Sequence, residues 1–162
     1  MSRYHGPTLL SADHDADDFD CGDETLDHWL KHLARRNQRE GSSRTWVVAD
    51  GARVVAYYAS SAAVLARAVA TGRAGRNQPD PLPAMLLGRL AVDREHQGRG
   101  LGAALLKHFL LKVVEVATHT GVRVALVHAA NNAAAGFYRR YGFEPSPIDD
   151  LTLMLLVKDI AI

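Results

Sequence analysis

The chain has 162 residues, about the length of one domain, and 48% of them are apolar, enough to bury a core without staples. Charged residues make up 23%, with 19 Lys and Arg against 18 Asp and Glu, which argues against both a disordered chain and a generally polybasic binder. The lone cysteine, Cys21, excludes an internal disulfide and a thiolate zinc cluster and fits a reducing compartment.

Met1-Ser2-Arg3-Tyr4-His5-Gly6-Pro7 has no apolar run behind a basic start, and no apolar stretch approaches the ~20 residues of a bilayer span. The expectation is a cytoplasmic single domain over residues 1–162 with no membrane partner. Charge is unevenly placed: residues 1–30 hold eight acids and one base, residues 31–76 nine bases and two acids, and the rest is nearly neutral. Such a split creates a local field able to attract a polyanion although the net charge is +1. The competing reading is a solvated surface whose charges partly pair.

Pro7–Leu10 reads as a short first strand, and the acidic stretch to Cys21-Gly22 as a turn. Asp23 or Thr25 is then available to cap a helix through its side-chain oxygen. From Leu26 to Arg39 the apolar Leu26, Trp29, Leu30 and Leu33 fall at helical spacing, with Lys31, Arg35, Arg36 and Arg39 largely on other faces. The pattern predicts one amphipathic helix with a basic outer surface. His28 and His32 are four apart on it, but His-Trp-Leu-Lys-His lacks the glutamate of the H-E-x-x-H zinc motif, so no metal is expected.

Thr45–Ala49 and Val54–Ala59, joined by Asp50-Gly51, predict a hairpin. Residues 71–83 carry three prolines and two glycines and predict a loop that bears Arg73 and Arg76. Met85–Val92 reads as a buried strand, with Gly88 marking a bulge or a close backbone approach. Leu101–Thr118 reads as a long helix stopped near Gly121, Val122–Val127 as a strand, Asn132–Tyr141 as a short helix closed by Gly142, and Leu151–Val157 as the last strand. Hairpins and a strand-helix-strand crossover together predict an α/β fold with a mixed sheet flanked by helices.

Chemistry concentrates between a buried strand and the long helix, in Gln97-Gly98-Arg99-Gly100-Leu101-Gly102-Ala103. Three glycines in five residues let the backbone approach a ligand, and a helix N-terminus offers free N–H groups and a positive dipole end. Together these make a phosphate or pyrophosphate site; the alternative is a glycine-rich turn that only packs tightly. The loose dinucleotide pattern G-x-G-x-x-A is met, but far from the first strand where it belongs and without an acid ending the next strand. A P-loop requires Gly-Lys-Ser/Thr, whereas Ala103 follows Gly102.

Leu90-Ala91-Val92-Asp93-Arg94-Glu95-His96-Gln97-Gly98-Arg99-Gly100-Leu101-Gly102 resembles the acyl-coenzyme A signature of the GNAT N-acetyltransferase superfamily, with Gln97, Gly100 and Gly102 at its defining positions. The segment from Asn131-Asn132 to Phe137-Tyr138, Tyr141 and Gly142-Phe143 is similar to the superfamily's second hallmark. The resemblance implies a mostly antiparallel sheet with splayed strands. It implies that the backbone from Gln97 to Ala103 (Gln97, Gly98, Arg99, Gly100, Leu101, Gly102, Ala103) binds the pyrophosphate of acetyl-CoA, while Leu90, Ala91 and Val92 pair with the pantetheine arm and help bind the oxyanion. Asn131 and Phe137 join that cofactor set, with a helix cap open as the other role of Asn131. Tyr138 matches the superfamily's tyrosine acid, the group that would protonate the leaving thiolate. For a general base, His128 at a strand end and a plain structural histidine both remain open.

Over nearly its whole length the chain resembles the toxin acetyltransferases of bacterial type II toxin–antitoxin pairs. The likeness includes Phe19-Asp20-Cys21-Gly22, Trp29-Leu30, Arg44-Thr45-Trp46-Val47-Val48, Tyr57-Tyr58 and Pro79-Asp80-Pro81. It implies acetylation of the α-amine of an aminoacyl-tRNA, blocking translation, silencing by an antitoxin with a ribbon-helix-helix domain, and a homodimer. Apolar surface left by the Tyr57-Tyr58 strand is a further ground for the dimer. Arg35, Arg36, Arg39, Arg73 and Arg76 are the candidates for tRNA phosphate contact. The alternatives are an ordinary acetyltransferase of a small amine or protein N-terminus, and a coenzyme A-binding regulator without turnover.

Overall fold

The computed structural model describes residues 3–161; Met1 and Ser2 of the N-terminal stretch, and Ile162, lie outside the described residues. One sheet of seven strands has the order β1-β2-β3-β4-β5-β7-β6. Its strands are β1 (Tyr4–Leu9), β2 (Arg44–Asp50), β3 (Arg53–Leu65), β4 (Leu82–Val92), β5 (Val124–His128), β6 (Glu144–Ser146) and β7 (Asp149–Leu156). The helices are α1 (Glu24–His32), α2 (Ala34–Arg39), α3 (Gly72–Gly75), α4 (Leu101–Ala117) and α5 (Asn132–Arg140). β4 and β5 run parallel, whereas β1–β2, β2–β3, β5–β7 and β6–β7 are antiparallel, so the sheet is mixed as expected. The chain divides into two compact units, Met1–Ser61 with Arg89–His108 and Ala62–Gly88 with Phe109–Ile162.

In the first unit, Asp23 caps α1, its Oδ1 accepting from the N–H of Thr25 at 2.9 Å and of Leu26 at 3.4 Å. The expected single helix is two. At Leu33, which is 38% exposed, φ is −121° and the backbone leaves the helix. The break lets α2 bond to distant backbone: the Gln38 amide donates to Leu10 O at 2.9 Å, and Gln38 Oε1 accepts from Thr45 N–H at 2.9 Å. Phe19, Trp29, Leu30, Val47, Val54 and Tyr57 fill the core. Tyr57 stacks on Trp29 with centroids 6.0 Å apart and donates its hydroxyl to Leu26 O at 2.7 Å. Tyr58 bonds His108 Nδ1 at 2.6 Å. Both tyrosines are 0% exposed, so they leave no apolar surface and that ground for a dimer falls.

In the second unit, Val124–Val127 of β5 are buried, and Leu65, Leu82, Leu126, Met154 and Leu156 pack in its core. The stretch expected to be only a loop holds α3, four residues long. Thr71 Oγ1 accepts from Ala74 N–H at 3.2 Å, and the Arg123 guanidinium donates to Arg73 O and Ala74 O, both at 3.2 Å. Outside partners thus satisfy both ends of a turn that its own glycines disfavour. β6 was not expected; it is an edge strand of three residues that tolerates Pro145. Among the described residues no helix is long and apolar enough to cross a membrane.

Candidate active site

β4 is followed by Asp93, a carboxylate 2% exposed that organises the loop after it. Its Oδ1 accepts from Glu95 N–H at 3.0 Å, capping the 3₁₀ turn Arg94–His96. Its Oδ2 accepts from Asp20 N–H at 3.1 Å and lies 3.6 Å from the Arg53 guanidinium. The Gln97 amide donates back to Val92 O at 3.0 Å and closes the turn. His96 is 3% exposed, and its Nδ1 meets the Tyr4 hydroxyl at 2.7 Å and the Arg3 guanidinium at 3.3 Å. A guanidinium only donates, so Nδ1 is the acceptor and the ring proton sits on Nε2. Arg99 in turn donates to Tyr4 Oη at 2.9 Å.

The turn so fixed presents an open face. Gly98 and Gly100 have φ of +77° and +80°, and a Cβ on either would meet no atom within 4 Å. Among the described residues, no backbone N–H from Gln97 to Ala103 has a protein acceptor; the next, that of Ala104, donates to Gly100 O at 3.0 Å. Unspent donors at the head of the 17-residue α4 suit a pyrophosphate, for which the positive end of the helix dipole adds attraction. Leu101 is 8% exposed, its side chain taken by the core, so only its backbone is available. Gly102 and Ala103 are half-buried in the first helical turn. At the end of β4, Leu90 and Val92 are half-buried and Ala91 is 6% exposed. Pairing of β4 with β5 runs from Ala84 to Leu87, and β4 continues to Val92.

In the second unit, Asn131 is the N-cap of α5, its Oδ1 accepting from Ala134 N–H at 2.9 Å. Tyr138 is 3% exposed and sits between Phe137 and Phe143, centroids 5.3 and 5.7 Å away, both edge-on. Its hydroxyl has no hydrogen-bond partner among the described residues, and burial raises its pKa above a phenol's ordinary value. A protonated, unengaged hydroxyl is the form a general acid needs. Phe137 is half-buried and also packs against Tyr141 at 5.2 Å.

The five arginines differ in what they have free. The Arg35 guanidinium donates to Ser11 O at 3.1 Å and His14 O at 2.5 Å, and Arg73 bridges Glu144 at 3.3 Å and Asp159 at 3.0 Å. Arg36 pairs with Glu40 at 3.3 Å on the surface. Arg39 and Arg76 are exposed, with no hydrogen-bond or ion-pair partner among the described residues. Ligand atoms of Asp93, Glu95 and His96 lie within 4.8 Å of one another. Both Asp93 oxygens and His96 Nδ1 already serve the loop's own hydrogen bonds. Sequence reading gave Asp93 no role, although an aspartate before Arg94-Glu95-His96 is a capping signal. Nothing local pointed to Tyr4 and Arg53, which lie far from the loop along the chain.

An open glycine loop at the head of a helix, beside a mixed sheet, is an arrangement suited to the phosphates of an acyl-coenzyme A. The acetyltransferase (GNAT) domain family matches residues 41–145, and the chain belongs to that family. It is 45% identical over 159 residues to a protein of Mycobacterium tuberculosis (strain ATCC 25618 / H37Rv) named tRNA-acetylating toxin, covering 98% of this chain and 96% of that one. Its fold is similar to that of AtaT complexed with acetyl-methionyl-tRNAfMet, with a TM-score of 0.85 and 30% identity over 93% of this chain and 94% of the other. It is likewise similar to a tyrosine-to-phenylalanine mutant of the AtaT toxin bound to the C-terminus of the antitoxin AtaR and acetyl-CoA, with a TM-score of 0.80 and 28% identity over 93% and 92%.

Proposed function

We propose that the chain is a toxin N-acetyltransferase that moves the acetyl group of acetyl-CoA to the α-amine of an aminoacyl-tRNA and so blocks translation. The observation that carries this reading is the full-length likeness to a tRNA-acetylating toxin, in a chain whose glycine loop keeps its donors unspent. Residues matched by the family lie in both units, which supports one acetyltransferase domain over residues 1–162. The N–H groups from Gln97 to Ala103 hold the pyrophosphate, and the backbone of Leu90, Ala91 and Val92 takes the pantetheine arm and a share of the oxyanion. The neutral amine nitrogen bonds the acetyl carbon and gives up one N–H proton, the adduct collapses, the carbon–sulfur bond breaks and Tyr138 gives its proton to the sulfur, the phenolate regaining a proton through exchange with water. A phenol whose pKa burial raises above the ordinary ~10 is a weaker acid than a thiol at ~8.5, so collapse of the adduct drives the transfer rather than acidity.

Arg39 and Arg76 are the phosphate contacts, since their guanidinium groups are free; Arg36 joins them by releasing an exposed ion pair. Asn131 and Phe137 complete the cofactor-binding set. The antitoxin is of the ribbon-helix-helix type, the protein is cytoplasmic, and the enzyme is a homodimer, for which Val64 and Ile148, each 68% exposed, supply apolar surface. Labelled acetyl-CoA offered with charged tRNA, free amino acids and a peptide tests the substrate. Label on charged tRNA supports the reading, label on peptide or free amino acid alone replaces it with an ordinary acetyltransferase, and binding without transfer makes the chain a coenzyme A-binding regulator.

A further inference from the structure

Three side chains of the second unit form a line that the Tyr138 chemistry does not use. His128, the last residue of β5, lies opposite Thr152 in the register with β7. Thr152 is 6% exposed, and its Oγ1 lies 2.8 Å from Asp149 Oδ2 and 3.4 Å from His128 Nδ1. Hydrogen bonds from Leu151 N–H and from Thr152 lower the Asp149 pKa, so its carboxylate is ionised and only accepts. Thr152 therefore spends its single proton on Asp149, and its lone pairs face the imidazole. His128 approaches that oxygen as an Nδ1–H donor, which leaves the Nε2 lone pair on an exposed ring. The residue stands just beyond Val127, where the parallel pairing of β5 with Leu87 of β4 ends.

We infer that His128 is the general base of the acetyl transfer, with Thr152 and Asp149 as positioning residues that fix its tautomer; this rests on the acetyltransferase reading above. A base oriented by a third group is the recurring arrangement for activating a nucleophile. As the nitrogen–carbon bond forms and the carbon–sulfur bond breaks, one N–H proton passes to Nε2 of His128, and the Tyr138 proton passes to sulfur. Imidazolium and phenolate are then reset by exchange with water. An α-amine of pKa ~7.7–8.0 is partly neutral near physiological pH, so a weak base suffices.

The test is steady-state acetyl transfer by the full chain carrying His128→Ala, His128→Gln, Thr152→Val or Thr152→Ser. Both His128 variants should lose about 100-fold in kcat with KM unchanged for either substrate. Added imidazole should restore His128→Ala in proportion to its concentration. Thr152→Val should lose about 10-fold in kcat, and Thr152→Ser should recover it. Wild-type kcat in His128→Gln, or a loss in His128→Ala that imidazole does not relieve, overturns the assignment. The comparison uses whichever amine the wild type acetylates, so failure of the tRNA reading shows in the wild type and failure of this inference shows only in the variants.

Discussion

Replacing Gly100 with alanine separates the stability of the glycine loop from its capacity to bind. At a φ of +80° an L side chain costs about 1–2 kcal/mol. No overpacking adds to this, because the new Cβ meets no atom within 4 Å. For a chain of this size each kcal/mol lowers Tm by about 2–4 °C, so Gly100→Ala should melt only about 2–8 °C below wild type. Binding should suffer far more. The methyl group would occupy the open space beside the loop, where a bound pyrophosphate has to approach the backbone. Losing two hydrogen bonds to a charged pyrophosphate, at about 1.5–3 kcal/mol each, costs 3 kcal/mol or more, which weakens the coenzyme A Kd at least 100-fold. Calorimetric titration with coenzyme A and a melting scan on the same sample read both quantities. A folded Gly100→Ala that binds coenzyme A within about threefold of wild type would refute the loop as the pyrophosphate site.

Tyr138→Phe should lower kcat about 100- to 1000-fold while leaving coenzyme A affinity and Tm near wild type, since the hydroxyl it removes has no partner; wild-type turnover would end its role as proton donor. Arg39→Ala and Arg76→Ala should each weaken tRNA binding and reduce the slope of log affinity against log salt by about 1 in filter binding, and unchanged slopes would move the phosphate contacts elsewhere. Arg35→Ala should instead lower Tm, because its guanidinium holds the carbonyls of Ser11 and His14. Burial, followed by the hydrogen bond with Asp27, pushes the Cys21 thiol up to about 12, above the ~8.5 of an unfolded thiol. Its contribution to stability is therefore complete below pH ~8.5 and is lost as pH rises from there toward 12, so denaturant midpoints should fall over that range in wild type and less in Cys21→Ala.

What was legible in the sequence was what is local. Gln97 to Gly102 is contiguous, so the turn and the helix start could be read together, as could the hairpin around Asp50-Gly51 and a cap at Asp23 or Thr25, of which Asp23 is the one used. What escaped depends on partners distant in the chain. The apolar stripe through Leu33 fits one helix, and only the bonds of Gln38 to Leu10 and Thr45 account for two. The turn at Gly72–Gly75 depends on Arg123, and β6 depends on β7 for its pairing. Net charge does not distinguish one arginine from another, whereas Arg35 and Arg73 are committed to groups 21 and 71 residues or more away. The line from His128 to Asp149 exists only in the register of β5 with β7, which no spacing in the sequence encodes.

The product itself is the most direct evidence. Charged tRNA incubated with acetyl-CoA and the enzyme, then digested with ribonuclease, releases the terminal aminoacyl-adenosine for mass spectrometry. Wild type should leave that nucleoside heavier by one acetyl group on its α-amine, and Tyr138→Phe should leave it largely unmodified under the same conditions. An unacetylated aminoacyl-adenosine from the wild-type reaction, with acetyl-CoA bound by the enzyme, would contradict acetyl transfer to aminoacyl-tRNA.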